Sequence, residues 1–125
     1  MLDKKLKILA VDDDMINLKL LKSMLTKQDN IAEVLEARNG TDAIEILKSV
    51  SDIDIILLDI IMPVMGGIEM LKIVRADDNL KQLPIIMLTT DETKKSEALE
   101  SGANGFLMKP VRAHDLIEQI SRLSF

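Results

Sequence analysis

What most constrains the fold is an alternation. Five short apolar runs are separated by stretches whose apolar residues recur at helical spacing. The runs are Ile8–Val11, a weaker Ala32–Leu35, Ile53–Leu58, Leu83–Leu88 and Gly105–Met108. Ile53–Leu58 and Leu83–Leu88 are nearly continuous Ile and Leu, the pattern of strands covered on both faces in a parallel sheet. Pro84 falls at the start of its run, where a missing N–H does least harm. Between the runs, Ile16, Leu20 and Met24, with Leu21 and Leu25, predict the buried stripe of a first helix. Ala43, Ile44 and Leu47 predict a second helix, Ile68, Leu71 and Val74 a third, and Leu116, Ile117, Ile120 and Leu123 the last. Thr93–Ser101 is helical in composition but carries only Ala98 and Leu99 as apolar residues, so it should be the least firmly held. Asn39-Gly40, Gly66-Gly67 and Gly102 punctuate the pattern where turns and a helix C-cap belong. Strand and helix in alternation give an α/β fold with right-handed crossovers and helices on both faces of the sheet.

The 125 residues form one domain, predicted to span 1–125, with a core large enough to need no staple. Cysteine is absent and His114 is the only histidine, which excludes disulfides, thiolate catalysis and a metal site built from several histidines. The net charge of −5, without a dense block of Lys or Arg, argues against direct nucleic-acid binding, as do two Phe with no Trp or Tyr. The first apolar run stops at Asp12, too short for a signal-peptide core. No window approaches the roughly 20 apolar residues of a membrane span. The expectation is a cytoplasmic protein with no membrane partner.

In open α/β sheets, ligands bind beyond the carboxyl ends of the strands, where strand order reverses. Here Asp12, Asp13 and Asp14 follow the first run, Asp59 ends the third, Thr89 and Thr90 end the fourth, and Lys109-Pro110 ends the fifth. If the first, third, fourth and fifth strands are neighbours, these groups converge on one edge. Clustered carboxylates repel one another and favour a cation, and oxygen ligands without His or Cys select a hard ion such as Mg²⁺. A Lys and a Thr hydroxyl opposite them supply donors to a phosphoryl group. The chemistry that fits is phosphoryl transfer to a carboxylate, and Asp59, alone at the end of an apolar strand, is the best nucleophile. Taken singly, each residue has a plainer role: Asp12–Asp14 as helix caps, Asp59 as a turn residue before Met62-Pro63, Thr89 as a strand residue, Lys109 as a solvated lysine. Their joint occurrence at successive strand ends outweighs those roles.

Four segments resemble the response-regulator receiver domain along essentially the whole chain: ILAVDDD, LLDIIMPVMGG, LPIIMLTT and SGANGFLMKP. The resemblance implies a doubly wound, flavodoxin-like fold with five parallel strands in the order 2-1-3-4-5 and five helices. It implies that Asp59 forms an aspartyl phosphate, that Asp13 binds Mg²⁺ directly and Asp12 partly through water, and that Asp59 and the backbone carbonyl of Ile61 are further ligands. Lys109 would pair with the phosphoryl oxygens and Thr89 would hydrogen-bond one of them. Phe106 would occupy the aromatic switch position and the Lys109-Pro110 bond would be cis. Ile61, Thr90 and Asp91 would border the route to the phosphate. The implied donor is a sensor histidine kinase or a histidine phosphotransfer protein, and the implied output a downstream target protein or a fused effector domain, reached through a surface including Lys94, Lys95, Glu97, Phe106 and Arg112.

The chain departs from the family pattern at Gly66, where Asp or Asn is usual, at Thr90, where Ala is common, and at Phe106, which lacks the hydroxyl of the usual Tyr. Two other functions compete. An aspartyl-phosphate phosphatase or phosphotransferase usually needs a second acid two residues after the nucleophile, and that position is Ile61. A receiver relative that only binds protein would have lost Asp59, Lys109 or the acid pair, and all are present. With no effector segment after the last helix, the chain is expected to be a stand-alone receiver or a fragment of a larger regulator.

Overall fold

A computed structural model describes residues 4–123; the ends of the domain predicted to span 1–125 lie outside the described residues. Strands β1 (Leu6–Val11), β2 (Ile31–Ala37), β3 (Ile55–Asp59), β4 (Ile85–Thr89) and β5 (Gly105–Met108) alternate with helices α1 (Met15–Thr26), α2 (Gly40–Ser49), α3 (Gly67–Ala76), α4 (Lys95–Glu100) and α5 (Ala113–Ser121). A short 3₁₀ turn, Glu92–Lys94, leads into α4. All strand pairs are parallel and the order is β2-β1-β3-β4-β5, as the resemblance implies.

Side-chain alternation along the strands divides the core in two. Leu9, Val11, Ile56, Leu58, Ile85 and Met87 meet α2, α3 and α4 through Leu47, Leu71, Val74 and Ala98. Ile8, Ala10, Ile55, Leu57, Ile86 and Leu88 meet α1 and α5 through Leu18, Leu21, Leu25, Leu116 and Ile120. Every residue of β3 and β4 is buried, as their unbroken apolar sequences require.

The stripe predicted for α1 is corrected. Leu18, Leu21 and Leu25 face the sheet, whereas Ile16 and Leu20 are 68% and 53% exposed and Met24 is half-buried. Apolar residues occur on more than one side of this helix, so spacing alone admits two stripes; Leu18, Leu21 and Leu25 (i, i+3, i+7) also form one. The predicted weakness of the fourth helix matches the structure: α4 has six residues and buries only Ala98. Gly102 ends it at φ 112°, a conformation that favours glycine. Gly67, the first residue of α3, lies so close to the backbone of β3 that a Cβ there would collide with the Asp59 carbonyl oxygen. Its N–H donates to Ile60 O at 2.8 Å, fixing the helix to the strand end that carries the predicted nucleophile.

Candidate functional site

Strand register sets the levels of the site. Val11 pairs with Leu58, so Asp12 and Asp59 emerge side by side from the central strands. Asp59 pairs with Leu88, which places Thr89 one residue beyond, and Thr89 pairs with Met108, which places Lys109 one residue further. These residues line one open cavity of about 290 Å³ with Asp13, Asp14, Asn17, Ile61 and Thr90.

Asp12, Asp59 and Thr89 are the buried polar residues of the described chain. The three Asp of the first loop divide their work. Asp14 caps α1 by accepting from Ile16 N–H at 2.8 Å, and Asp12 Oδ1 accepts from Asp14 N–H at 2.9 Å. Asp12 Oδ2 accepts from Lys109 Nζ at 2.8 Å, and the same ammonium stands 3.2 Å from Asp59 Oδ1. Asp13 remains exposed. One carboxylate oxygen from each of Asp12, Asp13 and Asp59 lies within 4.8 Å of the others. This all-oxygen set has the geometry and charge to hold a hard divalent cation.

The electrostatics follow from burial. Loss of water pushes the Asp59 carboxyl up to about 6, and the negative charge of Asp12 adds to the push, while Lys109 opposes it. Burial lowers the pKa of Lys109, but its hydrogen bond to Asp12 and the charges of Asp59 and Asp12 outweigh that and hold it above the usual lysine value. Lys109 therefore stays cationic, a fixed positive point between two carboxylates. The Lys109-Pro110 bond is cis.

Thr89 lines the cavity, and its Oγ1 accepts from Asp91 N–H at 3.1 Å. Phe106, on β5, packs half-buried against the core on the α4 side of the sheet. Ile61 is 57% exposed and Thr90 is exposed at the cavity rim. Asp91, expected to border the same route, does not line it. Its carboxylate accepts from Thr93 N–H and the Thr93 hydroxyl, which caps the 3₁₀ turn and holds its pKa below the ordinary aspartate value. Asn17 lines the cavity from the first turn of α1, and sequence reasoning missed it. It lies three residues after Asp14, and the signal was that helical offset, usable only once the rotation of α1 is known.

The family model described as a response regulator receiver domain matches residues 8–121. The chain is 36% identical over 124 residues to chemotaxis protein CheY-3 of Vibrio cholerae, covering 98% of this chain and 94% of that protein. It is 37% identical over 120 residues to chemotaxis protein CheY of Pseudomonas aeruginosa, covering 94% and 95%. The crystal structure of Vibrio cholerae CheY4 superposes with a TM-score of 0.86 at 35% identity, covering 96% of this chain and 99% of that one. By profile, sequence and structure, the chain belongs to the response regulator receiver family, the phosphorylation-activated switch of two-component signalling.

Proposed function

We propose that Asp59 is the phosphoacceptor and that the chain is switched by its phosphorylation. The observation that carries this reading is the position of Asp59. It is buried at the end of a central strand, within metal-bridging distance of Asp12 and Asp13 and 3.2 Å from the Lys109 ammonium. The donor is a phosphohistidine on a sensor kinase or phosphotransfer protein in the cytoplasm. An Asp59 oxygen attacks phosphorus and the P–N bond breaks. Its electron pair leaves on the donor imidazole, which departs neutral when its other nitrogen is protonated. The product is an acyl phosphate on Asp59, and the chain catalyses this transfer and its own later dephosphorylation without acting on another substrate.

Asp12, Asp13, Asp59 and the Ile61 backbone carbonyl would hold Mg²⁺. When bound, the ion neutralises the charge that carboxylates and phosphoryl oxygens bring together. Asp12 already accepts from Asp14 N–H and Lys109, which favours a contact partly through water, while Asp13 is exposed and open to direct coordination. Lys109 supplies donors to the phosphoryl oxygens from the far side. Thr89 is placed to turn its hydroxyl toward one of them, and Phe106 then fills the space behind it. The output surface is α4, β5 and α5, where Lys95, Leu99, Phe106 and Arg122 border an open groove for a target protein or an attached effector.

Intact-mass measurement after incubation with acetyl phosphate and Mg²⁺ tests the reading. One phosphoryl group should add to the native protein, and none to native protein in excess chelator or to Asp59→Asn. Undiminished addition under either of the last two conditions would refute it.

A further inference from the structure

The two ends of α4 are held by different means. The helix buries only Ala98, so packing against the sheet fixes it weakly. At its C-terminal end, Ser101 N–H donates to Glu97 O at 2.9 Å, Gly102 N–H to Leu99 O at 3.1 Å and Ala103 N–H to Ala98 O at 3.1 Å. This turn is gripped from outside by Arg75, in the last turn of α3. Its Nε donates to Gly102 O at 3.0 Å. One terminal nitrogen donates to Leu83 O at 2.8 Å and Lys81 O at 3.1 Å, and the other to Asn104 Oδ1 at 2.9 Å. Asn104 Oδ1 also accepts from Ile85 N–H at 2.8 Å. The half-buried guanidinium thus joins α3, the segment entering β4 and the turn between α4 and β5, through acceptors that are all uncharged. Only a planar fork of several N–H groups can do this; a lysine ammonium in the same place reaches fewer of them.

The N-terminal end has a different tie. Asp91 N–H donates to Thr89 Oγ1 at 3.1 Å, and Thr89 lines the cavity containing Asp59. A phosphoryl oxygen that attracts the Thr89 hydroxyl therefore disturbs this end directly. None of the Arg75 acceptors lines that cavity.

We infer that Arg75 is a fixed anchor for the C-terminal end of α4, so that phosphorylation displaces Asp91–Lys95 while Ser101–Asn104 keeps its place. The consequence for signalling rests on the proposed switch at Asp59, but the anchor is testable without phosphate.

Backbone hydrogen exchange followed by NMR provides that test. In Arg75→Met, the amides of Ser101–Asn104 should exchange about tenfold faster than in the native protein, while those of Thr93 and Lys94 are unchanged. Arg75→Lys, which keeps the charge and the aliphatic stem, should show a smaller acceleration at the same amides, and it carries the test if Arg75→Met does not fold. Native-like protection of Ser101–Asn104 in every folded variant overturns the anchor. Acetyl phosphate and Mg²⁺ should then shift native amides strongly at Asp91–Lys95 and weakly at Ser101–Asn104, with the shifts spreading to the second segment in the variant. Equal native shifts at both ends overturn the inference. Silence at both ends overturns the switch reading instead, and the exchange result alone then decides the anchor.

Discussion

Lys109 and Asp12 lie 97 residues apart in sequence, yet the lysine ammonium donates to Asp12 Oδ2 at 2.8 Å. Their side chains are only 15% and 1% exposed, and Asp59 stands 3.2 Å from the same ammonium. Removing the lysine leaves two buried carboxylates facing each other. Lys109→Met should cost about 3 kcal/mol of stability at pH 7 in urea unfolding without divalent cations, and less at pH 5, where a proton can substitute. A loss of the same size at both pH values would contradict this account of the pair.

Asp59 makes its own pH signature. Its folded pKa of about 6 lies above the usual 3.8, so the folded protein binds this proton more tightly than the unfolded chain does. The contribution to stability is complete below the unfolded value and is lost as pH rises through about 6. Without divalent cations, stability should fall by on the order of 2 kcal/mol between pH 4 and pH 7 on account of this group. Urea midpoints across that range should show the fall in the native protein and a flatter profile in Asp59→Asn, which should be the more stable of the two at pH 7. The same slope in both proteins would assign the effect elsewhere.

The loop after Asp59 holds strain. Val64 adopts φ 70°, and Met65 N–H donates to Pro63 O across it at 2.8 Å, a tight turn that a β-branched residue adopts at a cost. The residue is 86% exposed and little packing opposes the strain. Val64→Asn should raise stability by about 1 kcal/mol in urea unfolding. No gain would show that the turn is relaxed with valine.

Gly67 tests how closely α3 must approach the acceptor strand. Its missing Cβ makes room for the Asp59 carbonyl oxygen and for Ile60 Cα. Gly67→Ala should cost about 3 kcal/mol and slow phosphorylation, because the strand end that carries Asp59 must shift to admit the methyl group. Unchanged stability and rate would show that the loop absorbs the methyl without moving Asp59.

Ile61 and Thr90 bear on the lifetime of the phosphorylated state. Ile61 lines the cavity with an apolar, half-exposed side chain, and Asp91 has its carboxylate committed to Thr93. Neither arrangement orients a water for attack. The phosphoryl group should therefore be lost slowly, and Ile61→Asn, which supplies a carboxamide at the rim, should speed its decay. Equal or slower decay in that variant would contradict this view of the route.

The acidic site was legible in the sequence because parallel topology forces successive strands to end on one edge. Once Val11 pairs with Leu58 and Thr89 with Met108, Asp12, Asp59, Thr89 and Lys109 have no other place to be. Helix rotation was harder to read. Met15, Ile16, Leu18, Leu20, Leu21, Met24 and Leu25 give α1 two possible apolar stripes, and only docking on the sheet selects Leu18, Leu21 and Leu25. The same rotation brings Asn17 to the cavity. Sequence reasoning set Asp91 beside the route to the phosphate, but a local cap with Thr93 competes with the site for its carboxylate. Arg75 gave no signal, since its acceptors are backbone carbonyls and one amide oxygen, defined only by the folded chain.

The central claim is that the phosphoryl group resides on Asp59. An acyl phosphate can be reduced by borohydride to homoserine, which marks the modified position permanently. Peptide mapping after phosphorylation by acetyl phosphate with Mg²⁺ and borohydride reduction should find homoserine at position 59 and at neither 12 nor 13. Homoserine at position 12 or 13, or its appearance elsewhere with position 59 unmodified, would contradict the account.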